Sequence, residues 1–388
     1  MKIQKAETRL IGWIEDHIWL LAALFATFMG FLLRLSVRRF ISSDMETYLL
    51  PWYDQIQFMG GIYGLGTQVG DYNLLYQFLI ALMTYIPISP VYAYKILSCA
   101  FDYLLALAAG ALVWQLSGGK KQLGVAAYAL VLLTPTVWIN SAAWGQCDSM
   151  FTFFLVLSFL LLCRDRITLA FVCLGLGFAC KLQTVFALPF FLMAWYLKRN
   201  FSLVNFLWIP VMLFVSGLPA VVMGRGMLSM FTIYWNQTGS YPYMHVNYPG
   251  FWSLVSNQWQ YEHLSGAAIL LAMTVLVFWA VVIAVKRVKP QGQNLLYILF
   301  VMVYTCVLLL PAMHDRYGFP YEILALCILC LDPKTLPLAV SLFVPTLFTY
   351  GRYLYGLESS DDLFYYMSAL NCAVYLCYCR YVYRKISR

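Results

Sequence analysis

The sequence predicts an all-α polytopic membrane protein, and three observations carry this prediction. Of the 388 residues, 62% are hydrophobic and only 11% are charged, whereas about 25% of the residues of a soluble domain are charged. Several segments run for about 15–20 residues without a charge, which is the length of helix that crosses a bilayer. Most of the 25 Lys and Arg residues fall in the connections between these segments. This composition excludes a soluble enzyme, a disordered chain and a nucleic-acid-binding domain.

A bundle of about twelve transmembrane helices is predicted from the charge-free runs. No internal repeat divides the chain, so residues 1–388 are interpreted as a single domain. The two runs 167–180 and 183–197 are short, and Lys181 stands between them. An ionisable group just below the membrane surface is costly and indicates a functional site. The predicted helices lie near residues 17–35, 91–116, 122–140, 149–163, 167–180, 183–197, 202–223, 264–285, 294–312, 317–331, 335–351 and 363–381.

The distribution of basic residues predicts the orientation of the chain. Lys and Arg cluster in alternate connections, such as 120–121 and 286–289. Because basic loops stay in the cytoplasm, these connections and both termini are predicted to be cytoplasmic. The two long segments, 36–90 and 224–263, then lie on the extracytoplasmic side. We expect the first to be the catalytic segment and the second to bind substrate.

The segment 36–90 is predicted to carry interfacial helices. Residues 48–59 mix aromatic and polar side chains, and residues 73–86 are apolar but short. Both patterns are typical of helices that lie along a membrane surface. The alternative for 73–86 is a full span, which would invert every later loop and place the basic connections outside.

Five polar clusters map to the extracytoplasmic side, although they are far apart along the chain. Their convergence on one face predicts a single functional site there. The clusters are Ser43-Asp44-Met45-Glu46, Gly70-Asp71-Tyr72, Trp144-Gly145-Gln146-Cys147-Asp148, Lys181-Leu182-Gln183 and Met313-His314-Asp315-Arg316-Tyr317.

Two carboxylates in these clusters each allow a functional and a structural interpretation. Asp44 is a candidate general base that accepts the proton of an attacking hydroxyl group, or it is a helix N-cap. Asp148 is a candidate second carboxylate that positions a sugar or a cation. It also suits the first turn of a helix, where the macrodipole favours an acid. The ring of Trp144 beside it would suit a sugar face.

Several cations lie on the predicted outer side, against the usual distribution of charge. Lys181, Arg316, Arg225 and Arg352 are candidates for binding a phosphate, since Arg offers a bidentate fork and Lys a point charge. Other basic residues on that side, such as the pair 38–39, are better explained as anchors that reach lipid headgroups.

Asp102 lies inside a predicted span and therefore needs a partner within the bundle. Lys95, two turns earlier, is one candidate. A role of Asp102 near the active cavity is the alternative.

No metal site is predicted. The four histidines lack the spacing of a zinc site or a facial triad. A metal shared by Asp44, Glu46 and Asp148 is the alternative. Neither a metal nor another cofactor is expected.

The five clusters resemble the GT-C superfamily of membrane glycosyltransferases, in particular the bacterial relatives of the mannosyl- and glucosyltransferases of the GPI and dolichol pathways. The matching pieces occur in the family's order between residues 40 and 320. The sequence departs from the family at three places. It has Asn73 and Leu74 where prolines are usual, Leu182 where a proline is usual, and Asp315 where a glutamate is usual.

The resemblance implies a hexosyltransferase of the bacterial cytoplasmic membrane. Its donor would be a monosaccharide on a polyprenyl phosphate such as undecaprenyl phosphate, and its acceptor a cell-envelope glycan or a lipid-linked glycan. Membrane lipids are expected as partners and nucleic acids are not. The family mechanism is inverting, with Asp44 as the base. Phosphate binding falls to Lys181, Arg316, Arg352 and Arg225, and substrate binding to Glu46, Asp71, Tyr72, Trp144, Gln146, Asp148, Gln183, His314, Asp315 and Tyr317.

Two other classes of function remain open at this point. A flippase or transporter should show interrupted helices in two related halves, and only one such pair occurs, around Lys181. An envelope polysaccharide polymerase or ligase would also use polyprenyl-linked glycans and long outer loops. Dependence on Asp44 and on a monosaccharide donor would distinguish the glycosyltransferase from both.

Overall fold

The computed structural model describes residues 2–237 and 241–387 and is almost entirely helical in that part. The all-α prediction is therefore confirmed. The α-helices are α1 (Lys2–Ser36), α2 (Leu50–Phe58), α3 (Leu74–Met83), α4 (Pro90–Leu116), α5 (Lys121–Leu133), α6 (Pro135–Trp138), α7 (Asp148–Cys163), α8 (Ile167–Cys180), α9 (Leu188–Lys198), α10 (Trp208–Val222), α11 (Ser229–Gln237), α12 (Trp252–Val255), α13 (Tyr261–Val285), α14 (Gly292–Leu309), α15 (Phe319–Leu331), α16 (Leu336–Tyr355) and α17 (Asp361–Ile386).

Short irregular elements connect these helices. Two π-helical turns span Met45–Leu49 and Ile139–Trp144, and two-residue strands β1 (His245–Val246) and β2 (Met313–His314) pair in parallel. The 3₁₀ turns span Gly61–Gly66, Leu182–Ala187, Leu203–Leu207 and Pro333–Thr335.

The structure places a helix at each of the twelve predicted spans. Five helices in the described part of the chain are long and apolar enough to cross a membrane, and six if one bent pair counts as a span. The protein is thus an α-helical membrane protein, while the number of about twelve crossings stays a prediction. The candidate spans are Glu7–Ser36, Pro90–Leu116, Leu203–Val222, Tyr261–Val285, Gly292–Leu309 and the bent pair of Lys121–Leu133 with Pro135–Trp144.

Helix α14 forms the centre of the bundle. Every residue from Leu295 to Leu309 is buried, and the helix packs against α13, α15 and α17. By contrast, α1, α10 and α13 expose most of their apolar surface. A helix that is apolar on all sides suits either the core of a protein or a position in the membrane. Helix α14 takes the core position, and the exposed apolar surfaces of α1, α10 and α13 suit contact with lipid.

The connection that follows α1 folds back over one end of the bundle. It contains α2 and α3, so the short helices predicted at 48–59 and 73–86 are present, and their place along a membrane surface stays a prediction. Asn73 begins α3 by accepting a hydrogen bond from the Leu74 backbone N–H at 2.6 Å. Its amide also donates to the Met230 carbonyl at 3.0 Å. Asn73 therefore ties this connection to α11 at a position where the resembling family has a proline.

The partner of Asp102 is Arg34 and not Lys95. Arg34 donates from Nε at 2.9 Å and from Nη2 at 2.7 Å to the Asp102 carboxylate. Lys95 instead donates to backbone carbonyls just after α1, among them that of Arg38 at 3.1 Å. Sequence spacing favoured the neighbour on the same helix, but the tertiary fold brings α1 closer.

Candidate active site

A cavity of about 250 Å³ opens at the end of the bundle covered by residues 36–90 and 224–263. The five clusters lie in or beside connections between helices that are far apart along the chain, and the fold brings residues of all five to this cavity. The residues predicted for the site that line the cavity are Asp44, Asp71, Tyr72, Gln146, Lys181, Gln183, His314, Asp315, Arg316 and Tyr317.

Asp44 is held on both oxygens of its carboxylate. Oδ2 accepts hydrogen bonds from Trp144 Nε1 at 2.8 Å and Gln146 Nε2 at 2.9 Å, and Oδ1 accepts from the hydroxyl of Tyr353. The side chain makes no capping hydrogen bond. Ser42 fills that role instead, since its hydroxyl accepts from the Met45 N–H at 3.2 Å. The capping interpretation of Asp44 therefore has no support, and the carboxylate faces the cavity with a fixed orientation.

Both π-helical turns adjoin Asp44. One begins at the next residue, and the other ends at Trp144, whose indole binds the carboxylate. Such turns are rare, and they are frequently found at functional sites. Gly145 ends the second turn with φ of +79°, and a Cβ there would overlap the Met45 side chain. The glycine thus allows the chain to turn sharply and aim Gln146 back at Asp44.

Lys181, which lines the cavity, forms a buried ion pair with Asp148 behind it. The Asp148 side chain is 1% exposed and accepts from Lys181 Nζ and from Asn140 Nδ2, the latter at 2.8 Å. Lys181 sits in extended backbone between α8 and the following 3₁₀ turn, which leaves its side chain free to point inward. The rings of Tyr72 and Tyr317 lie within 5.8 Å of its ammonium group. Asp148 begins α7, as predicted, but it also orients a cation.

Arg316 lies between the two carboxylates. Its Nη1 is 3.9 Å from Asp44 and its Nε is 3.6 Å from Asp148. Its guanidinium stands 5.3 Å from the centre of the Trp144 ring. The buried Nε atom donates no hydrogen bond within the described part of the chain. Arg316 therefore presents a positive charge to the cavity, and at least its Nε–H group remains free to donate a hydrogen bond to a ligand.

Tyr72 and Gln146 extend the hydrogen-bond network that begins at Asp44. The Tyr72 hydroxyl donates to Gln146 Oε1 at 3.1 Å, and Gln146 in turn donates to Asp44. The backbone carbonyl of Asp71 accepts from Gln237 Nε2 at 2.6 Å. These hydrogen bonds therefore link the connection between α1 and α4 to the turn after α6 and to the end of α11.

The parallel pair of β1 and β2 places His314 and Asp315 in the cavity wall. The Asp315 N–H donates to the Val246 carbonyl at 3.1 Å, and the His314 ring packs against Tyr241 and Tyr317. Burial lowers the pKa of His314 well below its usual range, and the charge of Arg316 lowers it further, so the imidazole is neutral. Burial raises the pKa of Asp315 to about 7, and Arg316 opposes this rise.

Five predicted site residues lie outside the set that lines the cavity. Trp144 is fully buried against Tyr350 and Tyr353. Its ring is therefore not a sugar platform, which corrects the interpretation from sequence, and it serves Asp44 instead. Asp148 acts through Lys181. The remaining three are Glu46, which is exposed, Arg225, which donates to the Leu65 carbonyl and to Gln68 and Gln77, and Arg352, which stands beyond Tyr353.

Several lining residues were missed by the sequence analysis. The most important is Tyr353, whose hydroxyl binds Asp44 although the two are 309 positions apart. The only signal was its place beside Arg352 at the outer end of the predicted span 335–351. The others include Tyr48, Trp52 and Asn73. Four more lining residues were not singled out for the site, although they lie in the segment 224–263 that was expected to bind substrate: Tyr234, Gln237, Tyr241 and Asn247.

The cavity combines a fixed carboxylate with two cations, Lys181 and Arg316. Such a set can accept a proton at Asp44 and stabilise an anion at the cations. Within the described residues, no group of three or more His, Cys, Asp or Glu side chains could hold a metal ion. A shared metal at Asp44, Glu46 and Asp148 is therefore not supported by their placement.

Comparison with known protein families gives one match. The model of glycosyltransferase family 87 matches residues 72–311, which is more than half of the chain. The matched range includes Tyr72, the Trp-Gly-Gln turn at 144–146, Asp148 and Lys181, while Asp44 and Arg316 lie just outside it. No curated protein matches the chain significantly.

Proposed function

Because the chain belongs to glycosyltransferase family 87, a family of the GT-C type, we propose that it transfers a hexose from a polyprenyl-phosphate donor to a hydroxyl group of a cell-envelope or lipid-linked glycan. One observation carries the proposal. Asp44, with both oxygens held by hydrogen-bond donors, shares a cavity with Lys181 and Arg316. A base and an anion site in one cavity are what glycosyl transfer from a phosphate requires.

Asp44 is the proposed general base. It accepts the proton of the acceptor hydroxyl as the oxygen attacks the anomeric carbon. The bond from that carbon to the phosphate oxygen breaks, and the lipid phosphate leaves with the bonding electrons. Attack from the side opposite the leaving group inverts the configuration. Since a phosphate leaves without a proton, one carboxylate suffices, unlike the pair of a glycosidase.

Lys181 and Arg316 are proposed to bind the donor phosphate. Charge on the phosphate grows as the glycosidic bond breaks, so fixed cations stabilise the transition state more than the bound donor. Asp148 holds both cations in place, through its ion pair with Lys181 and its approach of 3.6 Å to Arg316 Nε. Arg225 has no place in this proposal, because its guanidinium is engaged by the carbonyl of Leu65 and neighbouring glutamines.

The site is proposed to work on the extracytoplasmic face of a bacterial cytoplasmic membrane. Basic connections gather at the other end of the bundle, where Lys198 lies 2.9 Å from Asp165 and Lys385 lies 2.7 Å from Asp332. In this arrangement the segment 36–90 supplies the base, and the segment 224–263 supplies part of the substrate wall.

The test is transfer of label by the purified protein in detergent. We expect it to move radiolabelled hexose from one member of a panel of polyprenyl-phosphate sugars to acceptors in a membrane-lipid extract. Asp44→Asn should lower turnover by about 10²–10⁴-fold, the contribution typical of a general base, with donor binding retained. Asp54→Asn is the matched control, because Asp54 is an exposed carboxylate on α2.

Two results would contradict the proposal. Normal turnover by Asp44→Asn would remove the base assignment. The absence of transfer from every donor, with a correctly folded protein and acceptors verified in the extract, would favour a flippase or a polymerase.

A further inference from the structure

A second, smaller cavity adjoins the one that holds Asp44. It has a volume of about 200 Å³ and is lined by Asn247, Thr349, Arg352, Tyr353 and Phe364. Asn247 and Tyr353 line both cavities. The two spaces are therefore neighbours, and the side chain of Tyr353 stands at their common wall.

The position of Tyr353 relates the second cavity to one particular oxygen of Asp44. Tyr353 donates its hydroxyl to Oδ1, whereas Trp144, Gln146 and the guanidinium of Arg316 are all grouped at Oδ2. In an inverting reaction the acceptor approaches from the side opposite the leaving group. A phosphate bound at Arg316 and Lys181 is on the Oδ2 side, so the acceptor belongs on the Oδ1 side, where the second cavity lies.

Arg352 gives the second cavity its charge. It is the only charged side chain among the described residues that line this space. Its guanidinium stands 5.5 Å from the Phe364 ring and 5.9 Å from the Phe348 ring, so it is oriented by aromatic contacts. Among the described residues it forms an ion pair with Asp361, which is 4.0 Å away and fully exposed. A surface pair at that distance contributes little, so the cation is available to another anion.

We propose that this second cavity is the acceptor subsite and that it takes an anionic acceptor, with Arg352 binding a phosphate or carboxylate group that lies near the reactive hydroxyl. The inference rests on the proposed glycosyl transfer. It moves Arg352 from the donor phosphate, where the sequence placed it, to the acceptor. The preferred acceptors are then phosphate-bearing lipids or acidic glycans rather than neutral glycolipids.

The test separates acceptors by charge. The membrane-lipid extract is divided by anion exchange into a neutral and an anionic fraction, and each is offered with the radiolabelled donor that the protein uses. We expect label to appear in the anionic fraction.

The variants that test the cation are Arg352→Gln, which removes the charge at similar size, and Arg352→Lys, which keeps it. Arg39→Gln is the control, since Arg39 is an exposed cation on the same connection as Asp44.

Arg352→Gln should raise the acceptor concentration needed for half-maximal rate by about tenfold or more, because it removes a charged hydrogen-bond donor. The KM for donor should stay within about twofold. Arg352→Lys should fall between this variant and the wild type, and Arg39→Gln should match the wild type.

Transfer to the neutral fraction, or a rise in donor KM in Arg352→Gln, would overturn the acceptor assignment while leaving the glycosyltransferase proposal intact. The absence of transfer from every donor to either fraction would instead overturn the proposed function.

Discussion

Two buried charge clusters in the same protein differ in how fully their polar groups are paired. The first joins Arg34 on α1 to Asp102 on α4. Asp102 accepts from Arg34 Nε and Nη2, from Ser141 at 2.5 Å and from Ser149. The remaining nitrogen of Arg34 donates to the carbonyls of Gly30 and Leu132. Every nitrogen of the guanidinium and both carboxylate oxygens thus have partners.

The second cluster joins Asp148, Lys181 and Arg316, and it is left partly open. Arg316 approaches its carboxylates only to 3.6–3.9 Å, and its Nε has no hydrogen-bond partner within the described residues. Lys181 and Arg316 line a cavity, whereas Arg34 and Asp102 do not.

This difference agrees with a structural role for the first cluster and with the proposed phosphate-binding role for the second. A buried ion pair is stable only when its remaining hydrogen-bonding capacity is also satisfied. The first cluster meets that condition within the chain. The second meets it only in part, beside a space large enough for a ligand group, so a bound anion would complete it. Burial alone does not distinguish the two clusters, because the charged groups of both are buried.

The largest effect is expected on stability, at the saturated cluster. Arg34→Ala should lower the free energy of unfolding by about 3–5 kcal/mol, because it leaves a buried carboxylate without its cation. The thermal midpoint in detergent measures this loss. Arg38→Ala is the control, since the Arg38 side chain is exposed and its guanidinium donates to the Leu35 carbonyl at 3.0 Å.

The double variant Arg34→Met, Asp102→Leu should recover most of the lost stability, since it removes both charges. A midpoint of Arg34→Ala equal to that of Arg38→Ala would show that the saturated cluster does not stabilise the fold.

The open cluster should show the opposite pattern. Arg316→Ala should lower turnover by about 10²–10³-fold, the cost of losing one preorganised stabilising group. Its thermal midpoint should fall by less than that of Arg34→Ala. Arg316→Lys should restore part of the rate. A variant that unfolds as readily as Arg34→Ala, yet turns over normally when folded, would reverse the comparison.

A smaller effect is expected from the hydrogen bond that aims the base. Trp144→Phe keeps an aromatic ring between Tyr350 and Tyr353 but removes the donor 2.8 Å from Asp44. Turnover should fall by about tenfold with donor KM unchanged. Trp114→Phe is the matched control. It also removes an indole hydrogen bond, the one of 2.9 Å from Trp114 to the Gly119 carbonyl at the C-terminal end of α4, away from the cavity. Equal rates for both variants would contradict the positioning role of Trp144.

The smallest effect concerns pH. Burial raises the pKa of Asp315 from 3.8 to about 7. Between these values the folded protein holds a proton that the unfolded chain releases, so this group makes stability fall as pH rises from about 4 to 7. Asp315→Asn should remove this part of the pH dependence. Thermal midpoints at pH 5 and pH 8 should differ less in the variant than in the wild type, and an unchanged difference would count against a buried, protonated Asp315.

The sequence predicted the all-helical membrane fold and the convergence of the clusters, because both follow from local patterns. Charge-free runs identify helices, and alternating direction assigns their ends to two sides. Asp44, Lys181 and Arg316 were recognised as candidate site residues because charged residues are rare in such a chain. These patterns do not fix the number of membrane crossings, because α7, α8 and α15 are apolar but shorter than a typical membrane span.

What the sequence could not predict were pairings between distant helices. Lys95 was one candidate partner for Asp102, and Arg34 was not considered because it is 68 positions away. No periodicity relates two helices that meet only in the fold. Tyr353 was missed for the same reason. Trp144 was expected at a sugar face, but burial depends on what packs above it, and Tyr350 and Tyr353 come from α16.

The hydrogen bond between Tyr353 and Asp44 has a consequence for biosynthesis. Its two ends are 309 positions apart, so Asp44 is synthesised long before Tyr353. Chains are inserted into membranes as they are synthesised, and the early helices can settle against one another before α16 exists. The cavity is therefore complete only after α16 has been synthesised and packed. A nascent chain that lacks α16 would contain Asp44 without Tyr353, so the proposed base would lack the hydrogen bond that orients its Oδ1 atom.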